Sequence, residues 1–481
     1  MKILVMTPVG RTSSGDQIDY FPQRWSGSSG KFKVNSFYPF SLAYLSSVLK
    51  SNTTNIVRMI DSNYHGFYKN EYIDTVIKYK PDVLIVEVDS IIFESQLLIF
   101  REIKKHLKSV IIIACGPSPT AEPEKTLSNS VDYVALGEFE FNIADLINSN
   151  FKLPANGIYP EKNKKLIDIN LLPLPENNDI KRRDYCRLYG SEYNEVEMWV
   201  TRGCPVMCNF CVVTNIYYGK ANYRTRNIES VIDEINYLIE AIPNLEGIFF
   251  NEEAHNFNKK YLKMFCQKLI QSGLNNRLKF NCMGNYDTLD EEIIKLMVEA
   301  GYYKMRIGIE TIDQESMKFI SKSGKLKSDK NKLMESLILC KKYNLKIYAT
   351  MSVGTVGSDY ISDINSLNNV KSLCEEGYIQ EFSISINTPM PGTPFYDEAL
   401  KNGWISNLTE DYSFDGAYAS IISMPNYSSD DINKAFSYGI QIRDYINGLN
   451  EKNGIKYSSY DKNWCKPVYD TSNRKPGDFV I

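Results

Sequence analysis

The chain has 481 residues, 43% hydrophobic and 23% charged, which is length for two or three domains and excludes a disordered or fibrous class. A net charge of −3 argues against a general nucleic-acid surface, and no apolar run reaches membrane-spanning length. The opening Met1-Lys-Ile-Leu-Val-Met-Thr-Pro8 reads as a buried strand rather than a signal peptide, which implies a reducing, cytoplasmic compartment.

Residues 1–145 alternate strand and helix signals. Lys2–Thr7, Asn55–Ile60, Asp82–Val88, Val110–Ala114 and Tyr133–Leu136 are apolar runs of strand length. Helices are predicted at Ser41–Lys50, Tyr72–Tyr79 and Gln96–Lys108. Five apolar strands separated by helices imply a doubly wound, Rossmann-like parallel sheet, whose ligands sit beyond the carboxyl ends of the strands. Those ends carry Pro8–Gly10, Ser90 and Gly116-Pro-Ser-Pro-Thr120.

Residues 146–195 read as a polar connector containing Leu171-Leu-Pro-Leu-Pro175. From residue 196 to 402 the strand–helix alternation resumes. Strands are predicted at 196–201, Gly247–Phe250, Leu278–Asn281, Lys304–Ile309, Lys346–Val353 and Glu381–Asn387. Helices are predicted at Ile228–Ile239, from Asn258, and at Asp290–Ala300, Lys330–Lys342 and Ser366–Glu376. Six such units make a partial (β/α)6 barrel, with an active site at the carboxyl ends of its strands. Residues 403–481 form a C-terminal region of mixed polarity, rich in tyrosine.

After the first of these strands stands Cys204-Pro-Val-Met-Cys208-Asn-Phe-Cys211. Three cysteines at C-x3-C-x2-C spacing can close on three corners of a cubane iron–sulfur cluster. The fourth iron is then left without a protein ligand, whereas an electron-transfer cluster takes four thiolates. Zinc sites favour paired C-x2-C knuckles or Cys/His sets, and here one C-x2-C occurs with no histidine within forty residues. The other seven cysteines are scattered and read as buried small hydrophobes.

At these positions, including Phe210 before the third cysteine, the chain resembles the radical S-adenosylmethionine (radical SAM) enzymes. Pro39-Phe-Ser-Leu-Ala-Tyr-Leu-Ser-Ser-Val-Leu49, Cys115-Gly-Pro-Ser-Pro-Thr120 and Leu136-Gly-Glu-Phe-Glu140 resemble elements of the cobalamin-binding domain that precedes the barrel in one subfamily. The loop from Val9 to about Val34 lacks the histidine that ligates cobalt in classical cobalamin domains. His65 follows the second strand and reads as an exposed loop residue. The resemblance therefore implies a 4Fe-4S cluster on Cys204, Cys208 and Cys211, S-adenosylmethionine on its open iron, and cobalamin without a histidine ligand from the protein. Pro8, Ser90 and Gly116 would face the cobalamin.

The resemblance carries further roles onto the strand ends. Asn251 or Glu252, in Asn251-Glu252-Glu253, would hold the methionine amino group. In Arg306-Ile-Gly-Ile-Glu310-Thr311, Arg306 would bind the cosubstrate carboxylate and Glu310 its ribose. Ser352 and Gly354 would allow close approach of the adenosine. Thr388-Pro-Met-Pro-Gly392-Thr393-Pro394 resembles the closing element of the pocket. His255 reads as an exposed or capped histidine. The implied reaction is reductive cleavage of S-adenosylmethionine to a 5′-deoxyadenosyl radical and, with cobalamin, methylation of an unactivated carbon in a small-molecule or peptide substrate. An electron donor such as flavodoxin or ferredoxin is implied as partner. Cyclisation, rearrangement or oxidation stays open as an alternative, as does a non-catalytic sensor or scaffold. The methylthiotransferase branch carries a second cysteine triplet upstream, and residues 1–150 contain only Cys115.

Overall fold

A computed structural model describes residues 1–11, 15, 17–19, 28–30, 37–88, 92–154, 156–160, 166–186, 191–320, 329–405 and 419–455. The first sheet is built from β1 (Lys2–Met6), β2 (Ile56–Ile60), β3 (Val83–Glu87), β4 (Ile111–Cys115), β5 (Tyr133–Ala135) and β6 (Ile158–Tyr159). Its order is β2-β1-β3-β4-β5-β6 and every pairing is parallel.

The alternation of the strands sorts the helices. Ile3, Val5, Ile85 and Ile113 pack with α1 (Phe40–Asn52) and α4 (Glu140–Asn148). Leu4, Met6, Val86 and Ile112 pack with α2 (Lys69–Tyr79) and α3 (Phe93–His106) on the other face. Strands covered on both faces need apolar residues at every position, which is why they read as unbroken runs. The order reverses between β2 and β3, so the carboxyl ends of β1 and β3 flank a switch point. Strand β6 is an addition: two residues inside the expected connector extend the sheet by pairing Ile158 with Val134. Two residues carry no period, so pattern alone could not mark them.

The second sheet comprises β7 (Glu195–Met198), β8 (Gly247–Phe250), β9 (Lys279–Gly284), β10 (Tyr302–Glu310), β11 (Lys346–Val353) and β12 (Glu381–Ile386). They lie in sequential order, all parallel. Val196, Met198, Phe250, Phe280, Met305 and Ile347 face one continuous core with α5 (Ile228–Ala241), α6 (Lys259–Gln271), α7 (Glu291–Glu299), α8 (Lys330–Lys342) and α9 (Tyr360–Glu375). Alternate residues on the opposite face are polar and buried, among them Glu195, Glu197, Asn281, Lys304 and Arg306. Lys304 is held there by Glu381 at 2.7 Å and Glu192 at 2.9 Å, the partnering that a buried charge requires.

Several boundaries move. Helix α9 begins six residues before the expected Ser366, because Asp359 and Ser362 form a reciprocal capping box at its start. The expected strand 196–201 ends at Met198, and Thr201–Arg202 instead pairs antiparallel with Arg224–Thr225. Past β12, α10 (Pro394–Lys401) starts on a Thr393 cap. The tail supplies α11 (Ser429–Lys452), a 24-residue helix that pattern reading did not mark. It packs on β12 where Gly439 leaves room for Ile384; a Cβ there would lie 2.1 Å from the Ile384 Cδ1. Among the described residues no helix is long and apolar enough to cross a membrane.

Two histidine expectations are corrected. His65 is half-buried, with its ring stacked on Phe67 at 5.8 Å. His255 is buried, stacked on Phe250 at 4.8 Å and bonded through Nε2 to the Tyr302 hydroxyl at 2.6 Å. For His255 the partner that completes the burial, Tyr302, stands 47 residues away, which local polarity does not reveal.

Candidate functional site

The cysteine loop spans residues 203–223 and is closed at its base by the hairpin in which Arg202 pairs with Arg224. Gly203 turns the chain at φ +95°, and a Cβ there would collide with Asn222, so only glycine fits. Asn215 then donates to the carbonyls of Cys208 and Cys211, both at 2.7 Å. Asn209 donates through its backbone to Ile320 and through its side chain to Phe319, both at 2.9 Å. A π-helical turn, Val213–Tyr217, follows the triplet; such turns recur at functional sites. Phe210 is half-buried against the core of the second sheet.

The three thiols are partly exposed. Burial pushes Cys204 up to about 12, with Cys211 and Glu253 adding to the rise. Cys208 is raised well above the usual thiol value, by burial and then by Cys211, Cys204 and Glu310. No positive side chain is among the groups that shift Cys204 and Cys208, so a cation arriving there is what would hold them as thiolates. Among the described residues no three His, Cys, Asp or Glu side chains converge on a single-ion position. A cubane takes one thiolate per iron corner and spreads its ligands wider than one ion does.

The polar tripeptide after β8 divides its work. Both Glu252 oxygens are engaged: one accepts the N–H of Val200 and Thr201 at 2.5 and 2.7 Å, the other meets His255. At 1% exposure this carboxylate ties the end of β7 and is not available to an amino group, contrary to expectation. Asn251 donates to Glu197. Glu253, to which the sequence reading gave no role, accepts the N–H of Gly203 at 3.0 Å and the Tyr218 hydroxyl at 3.1 Å. Its place in the same tripeptide was the available signal.

At the end of β10 the register shifts between Gly308 and Glu310, and Glu310 takes a φ of +62°. Its carboxyl accepts the Ser352 hydroxyl at 3.1 Å, and burial pushes it up to about 7. Gly308 gives that carboxyl room, since a Cβ there would lie 2.8 Å from Glu310 Oε1. Arg306, two residues deeper on the same face as Gly308, lays its guanidinium 4.1 Å over the Phe249 ring. Gly354 does not open toward a ligand as expected. Its N–H is bound by Asp363 at 2.9 Å, and a Cβ would meet Ile432 of α11 at 3.1 Å.

On the first sheet, Pro8 is buried and its carbonyl accepts the Ser62 hydroxyl at 2.6 Å. Gly116, at φ +99°, could not carry a Cβ, which would lie 2.7 Å from the Glu87 Cγ. It opens the short helix Pro117–Ala121. Ser90 lies outside the described residues. Ala121 packs with Val212, Ile216 and Met390, so the Gly116 end of the first sheet abuts the segment that follows the cysteines.

Residues 198–364 match the model of the radical SAM superfamily. An uncharacterized methyltransferase of Pyrococcus horikoshii is 22% identical over 411 residues, 82% of this chain and 85% of the relative. The solved radical S-adenosylmethionine methyltransferase TsrM from Kitasatospora setae superposes with a TM-score of 0.65 at 15% identity, covering 85% of this chain and 77% of TsrM. The cobalamin-dependent S-adenosylmethionine radical enzyme OxsB superposes with a TM-score of 0.57 at 16% identity, covering 95% of this chain and 62% of OxsB. The chain thus carries a radical SAM domain across residues 198–364, within an α/β fold of parallel sheets shared with cobalamin-dependent proteins of that superfamily.

Proposed function

We propose that this chain is a radical SAM enzyme that cleaves S-adenosylmethionine reductively and, with cobalamin, methylates an unactivated carbon. The carrying observation is the loop that gathers Cys204, Cys208 and Cys211, each part-buried, beside Glu310. Cys204, Cys208 and Cys211 would hold a 4Fe-4S cluster. When bound, the cluster supplies the electron that splits S-adenosylmethionine, and cobalamin supplies the transferred methyl group.

The chain's own residues do the rest. Glu310, steadied by Ser352, would accept the ribose hydroxyls. Asn251 and the partly exposed Glu253 stand on the turn after β8 and would receive the amino group, Glu252 being fully buried. Arg306 offers the cosubstrate carboxylate a cation already stacked on Phe249. In this reading, residues 1–145 are a Rossmann-like cobalamin-binding domain and 146–195 a connector. Residues 196–402 are a partial (β/α)6 barrel, and 403–481 a C-terminal region. The Gly116–Ala121 segment abuts the stretch that follows the cysteines through Ala121, which supports a ligand lying between the two sheets. No histidine stands in the loop after β1, so cobalt would have none from that loop below it. The substrate would be a small molecule or a peptide, and flavodoxin or ferredoxin would deliver the electron.

The test is anaerobic reconstitution with iron, sulfide and hydroxocobalamin, then assay for 5′-deoxyadenosine and S-adenosylhomocysteine. Both products with near-stoichiometric cobalamin support methylation. 5′-Deoxyadenosine without bound cobalamin moves the reaction to a non-methylating radical class. Cys208→Ala should lose the cluster and both products; a variant that kept them would refute the site.

A further inference from the structure

We propose that Arg202 and Arg224, with Glu138 and Glu140, form a latch through which a ligand on the first sheet positions the cysteine loop. The inference rests on the cofactor reading above.

The two arginines occupy opposed positions of the hairpin that closes the loop. Arg202 Nη1 lies 2.7 Å from Glu140 Oε1 and 3.2 Å from Glu138 Oε1. Arg224 Nη1 lies 2.7 Å from Glu138 Oε2 and donates to the Ile167 carbonyl at 2.8 Å. The Ile167 N–H returns a bond to the same Glu138 oxygen at 3.0 Å. Arg202, Glu138 and Glu140 are almost fully buried, so no water screens these pairs.

The quartet lies on a continuous path of bonds. Thr120 donates to the Gly116 carbonyl at 2.6 Å and accepts the Gly137 N–H at 3.1 Å. Gly137 precedes Glu138. At the other end Arg202 is two residues from Cys204, and Asn222, two residues before Arg224, donates its N–H to the Cys204 carbonyl at 3.2 Å. Any ligand that moves the Gly116–Thr120 loop therefore pulls on the base of the hairpin, and all three cysteines move with it. A well-packed apolar contact would join the two sheets as firmly as buried ions, so stability alone does not call for this network. Unlike charges buried at fixed separations, with Glu138 also hydrogen-bonded, define one arrangement of the loop and penalise others. Arg202 and Arg224 are thus positioning residues for the cysteine loop.

The test is hydrogen–deuterium exchange of residues 203–223 in the cluster-loaded full chain, with and without hydroxocobalamin. Wild type, Glu140→Gln and Glu381→Gln are compared. Glu381 pairs with Lys304 in an equally buried site away from the hairpin, so it controls for general loosening. Cobalamin is expected to slow exchange in the loop by about tenfold in wild type and Glu381→Gln, a usual size for coupling between two sites. In Glu140→Gln the slowing should vanish while cobalamin and iron content hold. Where Glu140→Gln does not fold, Arg202→Lys keeps the charge, loses the Nη1 that meets both carboxylates and should give the same result. Equal slowing in wild type and variant overturns the latch and leaves the cofactor reading standing. So does faster exchange by one common factor in both states, the mark of a merely structural quartet. A wild-type chain that retains no cobalamin overturns the cofactor reading and the latch with it.

Discussion

Glu195 stands on the polar face of the second sheet at 0% exposure, bonded to the hydroxyls of Ser191 at 2.8 Å and Tyr303 at 2.5 Å. Burial lifts its carboxyl from 4.5 to about 7, against the opposing pull of Tyr303, Ser191, Arg306 and Lys304. The folded chain thus holds this proton more tightly than the unfolded chain. Between about pH 4.5 and 7 the native state binds more protons, so stability falls as pH rises through that window and is level above it. A shift of roughly 2.5 units corresponds to about 3 kcal/mol. Replacing Glu195 by Gln removes the titration while keeping shape and an acceptor. The expectation is that Glu195→Gln matches wild type near pH 5 and exceeds it by about 3 kcal/mol at pH 8. Urea unfolding of both proteins across that range measures the difference. A gap that does not change with pH would refute the argument, because it would mean Glu195 ionises normally in the fold.

Glu310→Gln should weaken S-adenosylmethionine binding to the cluster-loaded protein by about 10- to 100-fold, the loss of charge-assisted bonds worth roughly 1.5–3 kcal/mol. Calorimetric titration reads it, and unchanged affinity would remove Glu310 from the cosubstrate site. Gly203→Ala forces a φ of +95° and a contact of 2.8 Å with the Asn222 carbonyl oxygen. It should cost about 1–3 kcal/mol and lower iron per chain after reconstitution, with all three cysteines intact. Full iron retention at an unchanged melting temperature would show that the loop does not depend on that turn.

The sequence by itself determined the elements whose residues answer to their immediate neighbours. Runs such as Val83–Glu87 and Ile111–Cys115 are apolar at nearly every position, which only a strand covered on both faces tolerates, and both stand where the pattern put them. The cysteine triplet was legible because its three residues stand in one short loop, where spacing alone sets what they can reach. The tertiary structure decided whatever depends on partners far apart in the chain. Glu252 and Glu253 are adjacent and chemically identical, yet one clamps Val200 and Thr201 while the other holds the loop at Gly203. Helix α11 buries Ile432, Ala435, Gly439, Ile442 and Ile446, and the glycine in that stripe becomes intelligible once Ile384 is seen against it. The pairing of Arg202 with Glu138 joins residues 64 apart. No local period encodes such a contact, because it exists only when two sheets bring their carboxyl ends together and burial forces every charge there to find a partner.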